Sequence, residues 1–170
     1  MEKKHLAAGS SVKKIAIFVD VQNIYYTTRD SFGRQFNYRK FWQTVSRQGE
    51  IVSAIAYAID RGDEHQRKFQ NALKHIGFTV KLKPYIQRSD GSAKGDWDVG
   101  ITIDIMDIAK EVEVDVVILL SGDGDFELLL KKIKSDYRVY TEVYGVPALT
   151  ANALIESADS FHAIDEDLLQ

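Results

Sequence analysis

Two short apolar runs constrain the fold of this chain more than any other feature of the sequence. Residues 15–19 (IAIFV) and 116–120 (VVILL) contain no polar residue and are rich in β-branched side chains. Runs of this length and composition are typical of strands buried on both faces, which occur in parallel sheets covered by helices. The sequence therefore predicts an α/β fold around a mainly parallel sheet.

The remaining patterns alternate between strand and helix, as expected for such a sheet. Strands are predicted at residues 14–20, 51–59, 78–83, 115–120, 138–144 and 161–164, and helices at residues 23–31, 38–48, 63–76, 97–110, 125–134 and 148–157. A polar loop is predicted at residues 84–96. The helix at 97–110 is expected to be buried on two sides, because it carries two apolar stripes, Val99, Ile103 and Met106, and Ile101, Ile105 and Ile108.

Composition places the chain among ordinary folded proteins. Its 170 residues are 45% hydrophobic and 28% charged, which suits one domain over residues 13–170 behind a mobile polar lead at residues 1–12. No apolar run has the length of a membrane span, and the N-terminus lacks the apolar core of a secretory signal. The absence of cysteine excludes disulfides and thiolate metal sites and suits a reducing cytoplasm.

Aspartates follow both apolar runs. Asp20 stands directly after the first run, and Asp123 and Asp125 follow the second. The carboxyl ends of parallel strands meet at one edge of a sheet, where open α/β sheets bind ligands. Two carboxylates about 5 Å apart repel by roughly 3 kcal/mol at an effective dielectric constant of 20, so we expect a divalent cation among them. Taken alone, Asp20 could instead cap a turn, and Asn23 could cap the next helix or hydrogen-bond a metal ligand.

The segment at residues 121–126 (SGDGDF) is the most specific motif. Its two glycines allow a sharp turn, so Asp123 and Asp125 can face one centre, although Asp125 could also cap the following helix. A dinucleotide fingerprint is excluded because Glu127 replaces its third glycine. The lysine and hydroxyl pair of a P-loop is also absent.

A third acidic motif opens the helix predicted at 97–110. Asp96 is a natural N-cap, which leaves Asp98 in the first turn. Asp104 lies about 240° around the helix from Asp98 and so does not share its face. It is either a second-tier candidate for the acidic site or a polar residue hydrogen-bonded to a neighbouring backbone group. Lys94 either contacts a phosphate or is a solvated loop lysine.

Aromatic and basic residues provide weaker signals. The aromatic residues near the first acid are expected mainly in the core or an interface, with one or two able to stack on bases: Tyr25, Tyr26, Phe36, Tyr38, Phe41 and Trp42. The net charge of −3 means that a nucleic-acid partner must bind a local patch. Basic residues of the second quarter form either a solvated face or a rim for phosphates: Arg61, Arg67, Lys68, Lys74, Lys81, Lys83 and Arg88.

The acidic motifs together resemble the NYN domain family, a branch of the PIN-like nucleases. The matching segments are FVDVQN at residues 18–23, KGDWDV at residues 94–99 and SGDGDF at residues 121–126, and the likeness extends over residues 14–165. The resemblance implies a Rossmann-like three-layer α/β/α sandwich with a Mg²⁺- or Mn²⁺-dependent site for RNA.

Carried over position by position, the resemblance also implies roles for individual residues. These are principal acids at Asp20, Asp98 and Asp123, a fourth acid at Asp125, supporting polar groups at Asn23 and Ser121, and a second helix acid at Asp104. Gly124 departs from the family, which frequently carries a hydroxyl residue there, but no acid is lost.

The function expected from these residues is metal-dependent endoribonucleolytic cleavage of RNA. Two alternatives remain open. One is a non-catalytic RNA- or protein-binding module on the same fold, and the other is a metal-dependent phosphatase acting on small molecules. A dehalogenase-like phosphatase is disfavoured because Gln22 stands where that chemistry needs a second acid.

Overall fold

Strands and helices alternate in the computed structural model, which describes residues 12–84, 96–111 and 113–170, and the backbone of residues 86–87 and 93–94. The predicted lead at residues 1–12 therefore lies, except for Val12, outside the described residues. The elements are β1 (Lys14–Asp20), α1 (Val21–Phe32), α2 (Tyr38–Ser46), β2 (Glu50–Asp60), α3 (Glu64–Ile76), β3 (Thr79–Pro84), β4 (Ile86–Gln87), β5 (Ala93–Lys94), α4 (Asp98–Ala109), β6 (Val116–Leu120), α5 (Glu127–Tyr137), β7 (Tyr140–Gly145), α6 (Asn152–Ser157) and β8 (Ser160–Ala163).

Six strands form one parallel sheet in the order β3-β2-β1-β6-β7-β8. The chain proceeds outward from β1 to β3 on one side, then returns to the centre and proceeds outward from β6 to β8. This reversal of direction between β1 and β6 is the switch point at which open α/β sheets bind ligands. The predicted α/β fold is confirmed, and the two apolar runs are the two central strands.

Helices cover both faces of the sheet. The apolar side chains of the central strands point alternately to the two faces, so each face has a core of its own. Ile15, Ile17 and Val19 of β1 belong to the core shared with α1, α2 and α3. Ala16 and Phe18 belong to the core shared with α4, α5 and α6. The result is a three-layer sandwich in which β1 is buried on both faces.

The structure corrects the prediction for α4. Only one stripe is buried, at Ile101, Ile105 and Ala109, whereas Val99 and Ile103 are 71% and 54% exposed. The helix is apolar on more than one side but lies in an outer layer, so the sheet covers a single face.

The predicted loop at 84–96 is also corrected in part. β4 and β5 pair there as a short antiparallel ladder, while residues 85, 88–92 and 95, with Arg88, lie outside the described residues. Among the described residues, no helix is both long and apolar enough to cross a membrane.

Candidate metal centre

Three carboxylates converge beside the switch point. Asp20 ends β1, Asp98 begins α4, and Asp123 lies in the loop after β6. One carboxylate oxygen from each lies within 4.8 Å of those from the other two. The predicted convergence of these acids is therefore present, although they are distant in the sequence.

Asp20 is held by hydrogen bonds on both of its oxygens. Oδ1 accepts from the backbone N–H of Asn23 at 3.3 Å, which makes Asp20 the N-cap of α1, and Oδ2 accepts from Ser121 Oγ at 3.1 Å. Asn23 is thus not the cap, because the helix begins directly after the strand. Burial, opposed by these hydrogen bonds and assisted by repulsion from Asp123, raises the pKa of Asp20 to about 6.

Ser121 and Asn23 connect β1 to the loop after β6. Ser121 is fully buried, and its Oγ accepts from the N–H of Asp123 at 3.1 Å while donating to Asp20. Asn23 Oδ1 accepts from the N–H of Gly122 at 2.8 Å. Gly122 itself has no room for a side chain, since a Cβ would lie 2.6 Å from the Leu149 carbonyl oxygen. The position of Asp123 relative to Asp20 is consequently fixed by these hydrogen bonds and by the packing of Gly122.

Asp98 lies opposite Asp123 at the N-terminus of α4. Burial is the largest cause that raises its pKa to about 8, followed by a carboxyl–carboxylate hydrogen bond with Asp123 and by repulsion from Asp123, Asp96 and Asp20. The predicted N-cap at Asp96 is displaced by one residue, because Trp97 occupies the cap position. Asp96 Oδ1 nevertheless accepts from the N–H of Asp98 at 3.1 Å.

Asp125 does not join the three acids. Asp123 Oδ1 accepts from the N–H of Asp125 at 2.9 Å, which caps a 3-10 turn at residues 124–126. Asp125 is exposed in this turn and lies outside the group of converging carboxylates. The acid that caps is therefore Asp123, and the two aspartates of the SGDGDF motif do not face one centre.

Asp104 also lies outside this group. Asp104 Oδ2 accepts from Tyr57 Oη at 2.8 Å and from Lys81 Nζ at 2.7 Å, so side chains rather than backbone satisfy it. The backbone of Lys94 belongs to β5, but its side chain lies outside the described residues.

Sequence reasoning missed Tyr38 as a neighbour of the acids. Burial, and after it the charge of Asp20, raises the pKa of the Tyr38 hydroxyl. No local pattern places this aromatic residue beside Asp20, because only the packing of α2 against the sheet brings it there.

The donor set fits a hard divalent cation. At 4.8 Å, two carboxylates repel by about 3 kcal/mol at an effective dielectric constant of 20. Burial first, and this repulsion after it, raise the pKa values of Asp20 and Asp98. Carboxylate oxygens are ligands that Mg²⁺ and Mn²⁺ prefer. The residues present therefore suit such an ion.

Comparisons with known proteins agree with this architecture. The sequence model of the NYN domain matches residues 14–165. The "Low amplitude and bright protein LabA" of Synechococcus elongatus is 28% identical over 156 residues, covering 87% of this chain and 82% of that protein. A crystal structure of VPA0982, a protein of unknown function from Vibrio parahaemolyticus, is 55% identical with a TM-score of 0.88, covering 94% of this chain and 97% of that one. The family model spans nearly all of the sandwich and its three converging acids, and the chain thus belongs to the NYN domain family.

Proposed function

We propose that this chain is a metal-dependent ribonuclease that hydrolyses internal phosphodiester bonds of RNA. The observation that carries the proposal is the convergence of Asp20, Asp98 and Asp123 within 4.8 Å at the switch point of an NYN domain. RNA is the proposed partner because the NYN domain resembles PIN-like nucleases. A cytoplasmic location stays a prediction.

In the proposed mechanism, Asp20, Asp98 and Asp123 hold one or more Mg²⁺ or Mn²⁺ ions. Such an ion, when bound, supplies an activated water and stabilises negative charge on the phosphate and the leaving oxygen. Ser121 orients Asp20 through its hydroxyl, and Asn23 holds the loop that carries Asp123. Asp98, whose pKa is raised to about 8, would have to be deprotonated to hold the ion.

A cleavage assay tests this proposal. Labelled RNA is incubated with the protein and Mn²⁺, with and without a chelator, and internal cuts are mapped on a gel. We expect chelator-sensitive cleavage that Asp98→Asn and Asp123→Asn largely remove. Asp107→Asn is the matched control, since it removes one exposed charge from the same helix outside the group.

The alternatives give different results in the same experiment. Faster metal-dependent hydrolysis of nitrophenyl phosphate than of RNA would favour a phosphatase. Stabilisation by Mn²⁺ with no hydrolysis of either substrate would favour a binding module. Full cleavage by both Asp98→Asn and Asp123→Asn would show that the three acids are not the catalytic centre.

The outlying candidates keep lesser roles in the proposal. Lys94 remains a candidate contact for a phosphate, because β5 shortly precedes α4 and Asp98. Asp125→Asn and Asp104→Asn are expected to lower turnover less than Asp98→Asn, since neither acid belongs to the converging group.

A further inference from the structure

A cavity of about 660 Å³ lies between α1, the start of α2, the end of β2 and the start of α3. Cavities of this size hold ligands of small-molecule and cofactor dimensions. None of the three converging acids lines it. The proposed hydrolysis therefore assigns no role to this cavity.

The α1 wall of the cavity presents two exposed tyrosines and an arginine. Tyr25 and Tyr26 are 47% and 37% exposed, and their rings meet edge-on with centres 5.3 Å apart. Arg29 Cζ lies 5.3 Å from the centre of the Tyr25 ring and 4.9 Å from that of Tyr26. Arg29 also approaches Asp30 at 3.8 Å, an exposed contact of small energy. Of the aromatic residues expected mainly in the core or an interface, these two tyrosines lie at the surface, where a ligand can contact them.

The opposite wall adds one arginine and one histidine. Arg61 follows β2, and His65 lies in the first turn of α3. The acidic side chain lining this wall, Asp63, is engaged as the N-cap of α3 through a 2.8 Å hydrogen bond from the N–H of Gln66. Two arginines, Arg29 and Arg61, stand against the single carboxylate of Asp63 among the charged side chains of the described residues lining the cavity, so the lining favours an anion with flat groups.

The cavity extends to the edge of the acidic centre. Tyr38 lines it, and the charge of Asp20 acts on the Tyr38 hydroxyl. Val21, which follows Asp20 in the chain, lines it as well. A polyanion with one phosphate at the three acids would therefore continue directly into the cavity.

We propose that this cavity binds an unpaired nucleotide of single-stranded RNA, next to the phosphate that lies at the three acids. The inference rests on the proposed ribonuclease function for the identity of the ligand. The base would stack on the tyrosines and the Arg29 guanidinium, while Arg61 and His65 lie near the backbone phosphates. A base inside a duplex is already stacked and paired, so the site selects single strands over duplexes.

Fluorescence anisotropy tests the inference in EDTA, which prevents metal-dependent cleavage. The probes are a labelled single-stranded RNA of about ten nucleotides, the same strand in a duplex, and a nucleoside monophosphate as competitor. The test variants are Tyr26→Ala and Arg29→Gln. The matched controls are Tyr140→Ala, 45% exposed at the amino end of β7, and Arg47→Gln, exposed after α2.

We expect single strands to bind more tightly than duplexes, and each test variant to weaken that binding by about 5- to 150-fold, the range for losing one base stack. The two controls are expected to bind like the wild type. If Tyr26→Ala did not fold, Arg29→Gln would carry the test, because its side chain is 54% exposed.

Several results would overturn the inference. These are wild-type affinity in both test variants, equal affinity for duplex and single strand, or competition by a mononucleotide as strong as by the oligonucleotide. The two proposals fail separately. Metal-dependent cleavage without dependence on Tyr26 or Arg29 would remove only the cavity assignment, and Tyr26-dependent binding without any cleavage would remove only the ribonuclease assignment.

Discussion

Replacing Asp98 by asparagine should stabilise the metal-free protein, and more so as the pH rises. Folding raises the pKa of this carboxyl from 3.8 to about 8, chiefly through burial and through Asp123. The folded state therefore binds a proton that the unfolded state has released between these values. Linkage requires that wild-type stability fall as the pH rises through this window. Asparagine does not titrate, so the variant lacks this loss.

The size of the effect follows from the shift. The pKa of the unfolded carboxyl, 3.8, lies about 3 units below pH 7. At 1.36 kcal/mol per unit, the free energy of unfolding of the wild type falls by about 4 kcal/mol over this range. Asp98 is only partly buried, and screening by solvent reduces this to roughly 2 kcal/mol. For a domain of this size, that change raises the melting temperature by about 4–8 °C. The difference should be small near pH 4 and largest near pH 8.

Thermal melting of wild type, Asp98→Asn and the control Asp107→Asn measures this difference from pH 4 to pH 8 in EDTA. Saturating Mn²⁺ should then reverse the order, because about 100-fold excess over Kd adds about 2.7 kcal/mol to a protein that retains the site. A metal-free Asp98→Asn variant less stable than wild type at pH 8 would refute the account of carboxylate crowding. An equal response of both proteins to Mn²⁺ would refute the role of Asp98 as a ligand.

The remaining predictions concern the surroundings of the three acids. Mn²⁺ affinity should rise between pH 5 and pH 8, because Asp20 and Asp98 have raised pKa values and must lose protons to bind the ion. Calorimetric titrations at several pH values measure the affinity, and an affinity that does not change with pH would contradict the prediction. Ser121→Ala should cost about 1–3 kcal/mol in urea unfolding and about 10- to 100-fold in Mn²⁺ affinity, since it removes a buried hydroxyl that orients an acid. Gly122→Ala should destabilise by about 1–3 kcal/mol, because its Cβ would lie 2.6 Å from a backbone oxygen; unchanged urea unfolding would contradict the packing described. Lys81→Met should change cleavage little, since the acid that it pairs with lies outside the metal centre.

Much of the fold could be predicted because burial dictates it. The runs at 15–19 and 116–120 have no polar side, which indicates strands buried on both faces. That these two strands pair with each other was not predictable from this pattern and is known from the structure. The surroundings of α4 could not be predicted in this way. The sequence shows an apolar stripe such as Val99 and Ile103 but does not show whether another element packs against it. Only the tertiary structure determines that this stripe is exposed to solvent.

The site could be predicted only as far as strand ends and helix starts define it. Asp20, Asp98 and Asp123 occupy such positions, and the sheet brings these positions to one edge. Asp125 could not be separated from Asp123 by sequence, because the choice of which acid caps the 3-10 turn depends on local backbone angles. The exposure of Tyr26 depends on the cavity that separates α1 from α3, and the spacing of aromatic residues along a helix does not predict such a cavity.

The hydrogen bonds around the acids imply that the centre is formed before any ion binds. Repulsion among three carboxylates would be relieved if the loop after β6 moved away from β1. Asn23 accepts a hydrogen bond from Gly122 of that loop, and Ser121 donates one to Asp20. Gly122 also packs so closely against the Leu149 carbonyl that the loop has no room to shift in that direction. The two cores on either side of β1 supply the stability that offsets the repulsion. A chelator should therefore lower the melting temperature of the ion-bound protein without unfolding it at room temperature, whereas a site formed only by the metal would lose its structure together with the ion.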